Sequence, residues 1–198
     1  MKKFFVIAII CVLSAAAADD KAKNADKKPA AGMMPPKPSP EARQLRDLVG
    51  TWKTTDTFEK IEGMMPGGEG TSTETITLGP GGYSVIMHIK GTAGPMASFR
   101  ALGVLTWNPD EKAYKMGWVD SMTPGINVGT GHKEGSDLVM TSEVKMGGKT
   151  YKTKDVMSDW TPTAYTLTSY MDDGTGEKKT MTIKATKEEA KTSKPESK

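Results

Sequence analysis

Apolar and polar side chains alternate with a period of two through the middle of the chain, which is typical of β-strands with one buried face. In the stretch YKMGWVDSMTPG, residues 114–125, large side chains recur at every second position, and Asp120 stands in the same row. Similar runs are separated by Gly, Pro, Asn and Asp groups that favour tight turns. The pattern predicts strands at 51–61, 69–78, 82–91, 97–107, 112–121, 125–133, 137–146, 149–159, 163–171 and 177–185.

About ten short strands joined by hairpin-length turns predict an antiparallel meander. An open sheet of that size would expose two edges, and closure removes both. We therefore predict an all-β protein built as a single up-and-down antiparallel β-barrel, with a two-sheet sandwich as the alternative. A short helix is expected before the first strand, because Ser39 can cap it, Pro40 suits its first turn and Gly50 can end it.

The two ends of the chain differ from this middle part. Residues 1–18 predict a secretory signal peptide, with a basic start, an apolar run too short for a permanent membrane helix, and three Ala before Asp19. We expect an exported protein, periplasmic or extracellular, with no integral membrane segment after cleavage. Residues 19–40 and 188–198 predict a disordered tether and tail around a barrel domain at 41–187.

The amino-acid composition limits the kinds of ligand and reaction that the protein can be expected to support. Cleavage after Ala18 would remove Cys11, the one cysteine, and with it thiolate or disulfide chemistry. The remaining chain has 25 basic residues, once Lys2 and Lys3 are subtracted from 27, against 24 acidic residues, so no nucleic-acid partner is expected. With two His, no metal site and no cofactor are predicted. The 14 Met residues suit irregular core packing better than a copper site.

The alternation also predicts which side chains enter the barrel. It places Trp118, Asp120 and His132 inside, and Arg100 too if that residue shares its inner face with Leu102 and Val104. These positions lie on three consecutive strands. A buried carboxylate needs a partner, and Arg100 could supply one for Asp120. Two interpretations stay open, a structural polar cluster and a contact to a ligand.

Longer stretches resemble known families. Gly50-Thr51-Trp52, after a short helix, is similar to the G-x-W signature of lipocalins. LVGTW, GEGTSTETITLG, GPMASFRALGVLTWNPDEKAYKMGWVDSMTPGI and MTIKATK resemble the bacterial family catalogued as domain of unknown function 1579. The resemblance covers about residues 41–187. It implies one lipocalin-like (calycin-like) barrel and assigns no catalytic residue.

These observations favour a protein that holds a small apolar or amphipathic molecule inside its barrel. No catalytic residue is predicted, and the oligomeric state is left open. One alternative is an envelope structural or interaction protein with a packed barrel, and another is an enzyme using Arg100, Asp120 and His132. The candidate ligand-binding residues are Trp52, Met87, Arg100, Trp118, Asp120, His132, Met140 and Tyr165.

Overall fold

The computed structural model describes residues 35–94 and 96–189. The predicted signal peptide, most of the predicted tether and the last nine residues of the tail lie outside this part of the chain. Within it, one short α-helix, α1 (Pro40–Gln44), continues into a 3-10 turn at Leu45–Leu48 and then into the first strand. The Ser39 hydroxyl accepts a hydrogen bond from the Ala42 amide at 3.3 Å, as expected for an N-cap.

Ten antiparallel strands follow in the described residues, and they close into one up-and-down barrel because β1 pairs with both β2 and β10. The all-β fold, the single barrel and the short N-terminal helix are therefore confirmed. A second 3-10 turn, Pro80–Gly82, joins β2 to β3. The strands are β1 (Gly50–Ile61), β2 (Met65–Leu78), β3 (Ser84–Ala93), β4 (Met96–Asn108), β5 (Ala113–Asp120), β6 (Asn127–Glu134), β7 (Asp137–Met146), β8 (Lys149–Ser158), β9 (Ala164–Asp172) and β10 (Glu177–Lys187).

The helical segment closes one end of the barrel. Leu45 and Leu48 are completely or almost completely buried, and the indole Nε1 of Trp52 donates a hydrogen bond to the Leu48 carbonyl at 2.7 Å. Burying each leucine contributes about 1.5–3 kcal/mol. The side chains that pack with them lie where β1, β3, β5 and β7 begin and β2, β4 and β10 end: Trp52, Ile76, Val85, Leu105, Tyr114, Leu138 and Ala185.

The residues of β4 that face the interior are not the set that contains Arg100 but the alternate set. Ala101, Gly103 and Leu105 face the interior, whereas Leu102 and Val104 are exposed. The reason is size, because a Cβ at position 103 would stand 2.6 Å from the Met87 Cε and 3.0 Å from the Trp118 ring. The small residues of β4 thus make room for large side chains from its neighbours.

The predicted inner face of β6 is wrong for the same reason. Gly129 and Gly131 face inward and are buried, while Val128 is 63% exposed and His132 lies on the outside. A side chain at position 131 would overlap the Met140 sulfur. The inward faces predicted for β3, β5 and β7 are confirmed, since Val85, Met87, Tyr114, Leu138 and Met140 are all buried.

Candidate functional site

The barrel interior changes character from one end to the other. Near the helix it is closed and mostly apolar. Toward the opposite end, side chains that point into the barrel are partly exposed to solvent. Because these side chains do not lie on the outer wall, solvent must reach the interior from that end. These half-buried inward positions include Met116, Trp118, Asp120, Ser142, Thr153, Asp155, Leu167 and Ile183.

A buried polar cluster lies on β1, β2 and β9. Glu74 and Tyr165 are each 5% exposed, and the Tyr165 hydroxyl donates a hydrogen bond to Glu74 Oε2. The register explains this pairing in part, because Glu74 stands opposite Trp52, whose ring lies 5.0 Å from that of Tyr165. Beside them the hydroxyls of Thr54 and Ser72 bond to each other at 2.6 Å.

Asp56 adds a second carboxyl to this cluster. It follows Trp52 and Thr54 in the alternation of β1, so it faces the interior, and it is 4% exposed. Its Oδ1 atom is buried and has no hydrogen-bond partner among the described residues. A buried polar atom without a partner costs free energy. This oxygen is therefore the most conspicuous unsatisfied group in the barrel interior.

A third inward carboxyl lies on β8. Asp155 Oδ1 accepts a hydrogen bond from the Ser169 hydroxyl of β9 at 2.6 Å. On the β7 side, the hydroxyls of Ser142 and Thr153 are 2.6 Å apart. The interior toward the solvent-accessible end is thus lined by acids and hydroxyls from five strands.

Burial affects the charge of all three acids. Loss of water raises the pKa of Asp56, Glu74 and Asp155, and hydrogen bonds from Thr54, Tyr165 and Ser169 respectively oppose that effect. Burial, together with the neighbouring Glu74 carboxylate, also raises the pKa of the Tyr165 hydroxyl. These groups favour their neutral forms more than they would in water, unless a positive charge comes close.

Asp120 has a defined structural role at the end of β5. Its Oδ2 accepts a hydrogen bond from the Trp118 indole at 2.9 Å, and its Oδ1 accepts from the amides of Met122 and Thr123 at 2.8 and 2.7 Å. The carboxylate therefore fixes the loop after β5 and the Trp118 ring together. This explains why an acid stands in an apolar row.

The eight predicted ligand-binding residues fall into two groups. Six face the interior, where Trp52, Met87, Met140 and Tyr165 are buried and Trp118 and Asp120 are half-buried. The predicted orientation of Arg100 and His132 is wrong, because both side chains are exposed on the outer wall. The predicted cluster of Arg100, Asp120 and His132 does not form.

Asp56, Glu74 and Asp155 were not among the residues predicted from the sequence. The signal was present, because each shares the period-two row of inward-facing residues on its strand: Trp52 and Thr54 for Asp56, Ser72 and Ile76 for Glu74, and Tyr151 and Thr153 for Asp155. Asp56 and Glu74 stand among polar residues, so neither interrupts an apolar run as Asp120 does.

The outer wall also has a hollow, of about 430 Å³, over β7, β8 and β9. Two of its charged side chains pair with each other, since Lys154 Nζ lies 2.6 Å from Glu177 Oε1, and the same Nζ lies 4.6 Å from the centre of the Tyr170 ring. No three His, Cys, Asp or Glu side chains of the described ranges converge in a way that could hold a metal ion. No helix within those ranges is long and apolar enough to cross a membrane.

A closed up-and-down barrel with an apolar floor, a helical lid at one end and acids inside defines the class of this protein as a lipocalin-like barrel. The chain belongs to the family described as Protein of unknown function (DUF1579), whose sequence pattern matches residues 37–187. The family resemblance seen in the sequence is therefore confirmed.

Two solved structures share the fold. The S-type phycobiliprotein lyase CPES from Guillardia theta is 14% identical, with a TM-score of 0.50 over 75% of this chain and 92% of that one. Rv2717c from M. tuberculosis is 10% identical, with a TM-score of 0.54 over 77% of this chain and 99% of that one. At these identities the similarity concerns the fold alone. Comparison with curated proteins gives no match.

Proposed function

We propose that this protein binds a small amphipathic molecule inside its barrel, reached from the end opposite the helix. The observation that carries the proposal is the change in burial along the interior, from fully buried Leu48 and Trp52 at the closed floor to half-buried Asp155 and Trp118 toward the other end. A ligand with an apolar body and a polar head would match both parts. Barrel folds of this size commonly hold one small ligand.

The proposal includes the cellular location of the protein. The signal-like residues 1–18 favour export, so the ligand would be met in the periplasm or outside the cell. The name of the phycobiliprotein lyase links that neighbour to the handling of a pigment-bearing protein, which supports an interior suited to small molecules.

Two alternative functions receive less support. An enzyme using Arg100, Asp120 and His132 lacks its cluster, because Arg100 and His132 lie on the outer wall. A packed barrel acting only through its surface would have little reason to keep three acids inside, because buried carboxyls without basic partners lower stability.

The test uses residues 19–198 and N-phenyl-1-naphthylamine, a neutral apolar dye whose fluorescence rises when it leaves water. We expect saturable binding to the wild-type protein. Ile183→Trp should abolish it, because Ile183 is half-buried inside the barrel opposite Asp56 on β1. The matched control is Lys184→Trp, the next residue along β10, which is exposed.

The control separates the interior from the outer wall, where Leu102, Val104 and Val128 are exposed. Equal dye binding by the Ile183→Trp and Lys184→Trp variants would place the dye on that outer face and contradict the proposal. Absence of dye binding and of any adduct in native mass spectrometry of protein from the exporting host would contradict it as well.

A further inference from the structure

Within the described residues, the acids that face the barrel interior have no basic partner. Asp56, Glu74, Asp120 and Asp155 make no ion pair with a Lys, Arg or His of residues 35–94 and 96–189. Lys187 faces inward at the closed end, but its Nζ bonds the Asp47 carbonyl at 2.9 Å and lies over the Trp52 ring. The interior thus presents carboxyl oxygens that no Lys, Arg or His of the described part of the chain meets.

The buried Oδ1 atom of Asp56 indicates which kind of ligand head group would fit this acidic interior. Glu74 Oε2 is engaged by Tyr165 and Asp155 Oδ1 by Ser169, whereas Asp56 Oδ1 has no partner in the described part of the chain. An acceptor oxygen in this position is satisfied by a donor, an N–H or O–H group, or by a cation, and a donor that is also positively charged forms the strongest bond. An anionic or purely accepting head would leave it unsatisfied and would add like charge.

Apolar side chains lie beside that oxygen. Ile183 stands directly opposite Asp56 on β10, and Leu167 is the partner of Ile183 on β9. Both are half-buried inside the barrel. A ligand head at Asp56 would therefore have an apolar wall next to it for the first carbons of its body.

We propose that the barrel selects amphipathic ligands with a cationic amine head, which binds Asp56, over ligands of the same body with an anionic head. Asp155, on β8 three strands away from β1, adds a second inward carboxyl to attract that head. The proposal rests on the function proposed above and names its ligand class. It commits to the amine because a protonated amine has three N–H donors and a positive charge, and so satisfies the free oxygen and offsets the uncompensated acids.

The test compares three amphiphiles with the same twelve-carbon chain, dodecylammonium, dodecanol and dodecanoate, as competitors of N-phenyl-1-naphthylamine at pH 7. We expect dodecylammonium to displace the dye at a concentration about tenfold lower than dodecanoate, as for one charge-assisted hydrogen bond gained. Asp56→Asn should remove most of this preference and leave displacement by dodecanol unchanged. Glu134→Gln, an exposed acid at the end of β6, is the matched control and should keep the preference.

A second variant, Asp155→Asn, keeps the test decisive if Asp56→Asn does not fold, because it should also reduce the preference. Dye binding with equal or stronger displacement by dodecanoate would overturn the proposal and leave the interior binding function standing. Retention of the full preference in both acid variants would overturn it too. Loss of all dye and amphiphile binding in the wild-type protein would overturn the binding function itself, and this inference with it.

Discussion

Tyr165→Phe tests the buried polar cluster with a change of a single hydroxyl group. The phenylalanine ring keeps the packing against Trp52, whose ring centre lies 5.0 Å away. The hydroxyl that is lost donates to Glu74 Oε2. Since Tyr165 and Glu74 are each 5% exposed, bulk water does not replace the missing donor.

The magnitude follows from this burial. Leaving a buried hydrogen-bonding group without its partner costs about 1–3 kcal/mol. We expect Tyr165→Phe to lower the free energy of unfolding by about 2 kcal/mol. For a domain of this length each kcal/mol lowers Tm by about 2–4 °C, so the expected loss is about 4–8 °C.

The assay is urea unfolding followed by the fluorescence of the four Trp residues, with Tm measured in parallel. The matched control is Tyr170→Phe, five residues along β9 on the outer wall, which should change stability by less than about 0.5 kcal/mol. Replacing both partners, Tyr165→Phe with Glu74→Leu, should recover part of the loss because no carboxyl is then left unsatisfied. A Tyr165→Phe protein as stable as Tyr170→Phe would refute the reasoning.

Two further predictions concern the acids and the glycines of the interior. Burial raises the pKa values of the three acids above their usual 3.8 and 4.5, so the folded state holds more protons than the unfolded state above about pH 4. Their contribution to stability is complete below that pH and is lost as pH rises through each folded pKa. Glu74→Gln with Asp155→Asn should flatten the fall in stability above about pH 4 in urea titrations, and an unchanged slope would contradict the assignment. Gly131→Ala should lower stability by about 1–3 kcal/mol in the same assay, because the new methyl overlaps the Met140 sulfur. The control is Gly117→Ala, which has open space at its Cβ. Exposed Gly135 does not serve as a control for packing, because its φ of +63° would strain an alanine.

The fold could be predicted because its signals are local and repeated. Each strand shows a period of two, and turns such as Gly147-Gly148, with φ of +56° and +79°, need residues without a Cβ. Closure follows from the need to remove the edges of so long a meander. Ser39 and Pro40 start the helix where capping preferences place it.

The site was predicted only in part, because hydrophobicity was used to choose the inner face. On β4 and β6 the barrel selects by volume, since Gly103 and Gly131 leave space for Trp118 and Met140 from neighbouring strands. That choice depends on register between strands, which a single strand does not reveal. His132 was assigned to the interior for this reason, and so was Arg100 under the assumption that Leu102 and Val104 face inward.

The acids of the interior are hard to explain by folding alone. Each raises the cost of burial, and an apolar side chain of similar size in place of Glu74 or Asp155 would be expected to pack at least as stably. A barrel that needed only to be stable would fill this end with leucine or methionine, as it does at Leu138 and Met140 near the floor. Burying Asp56 and Glu74, with Asp56 Oδ1 unpaired in the described part of the chain, lowers stability. The proposed function accounts for that cost by making these acids part of a recognition surface. If Asp56→Asn both stabilises the empty protein and weakens amine binding, the two effects together would assign that cost to ligand recognition.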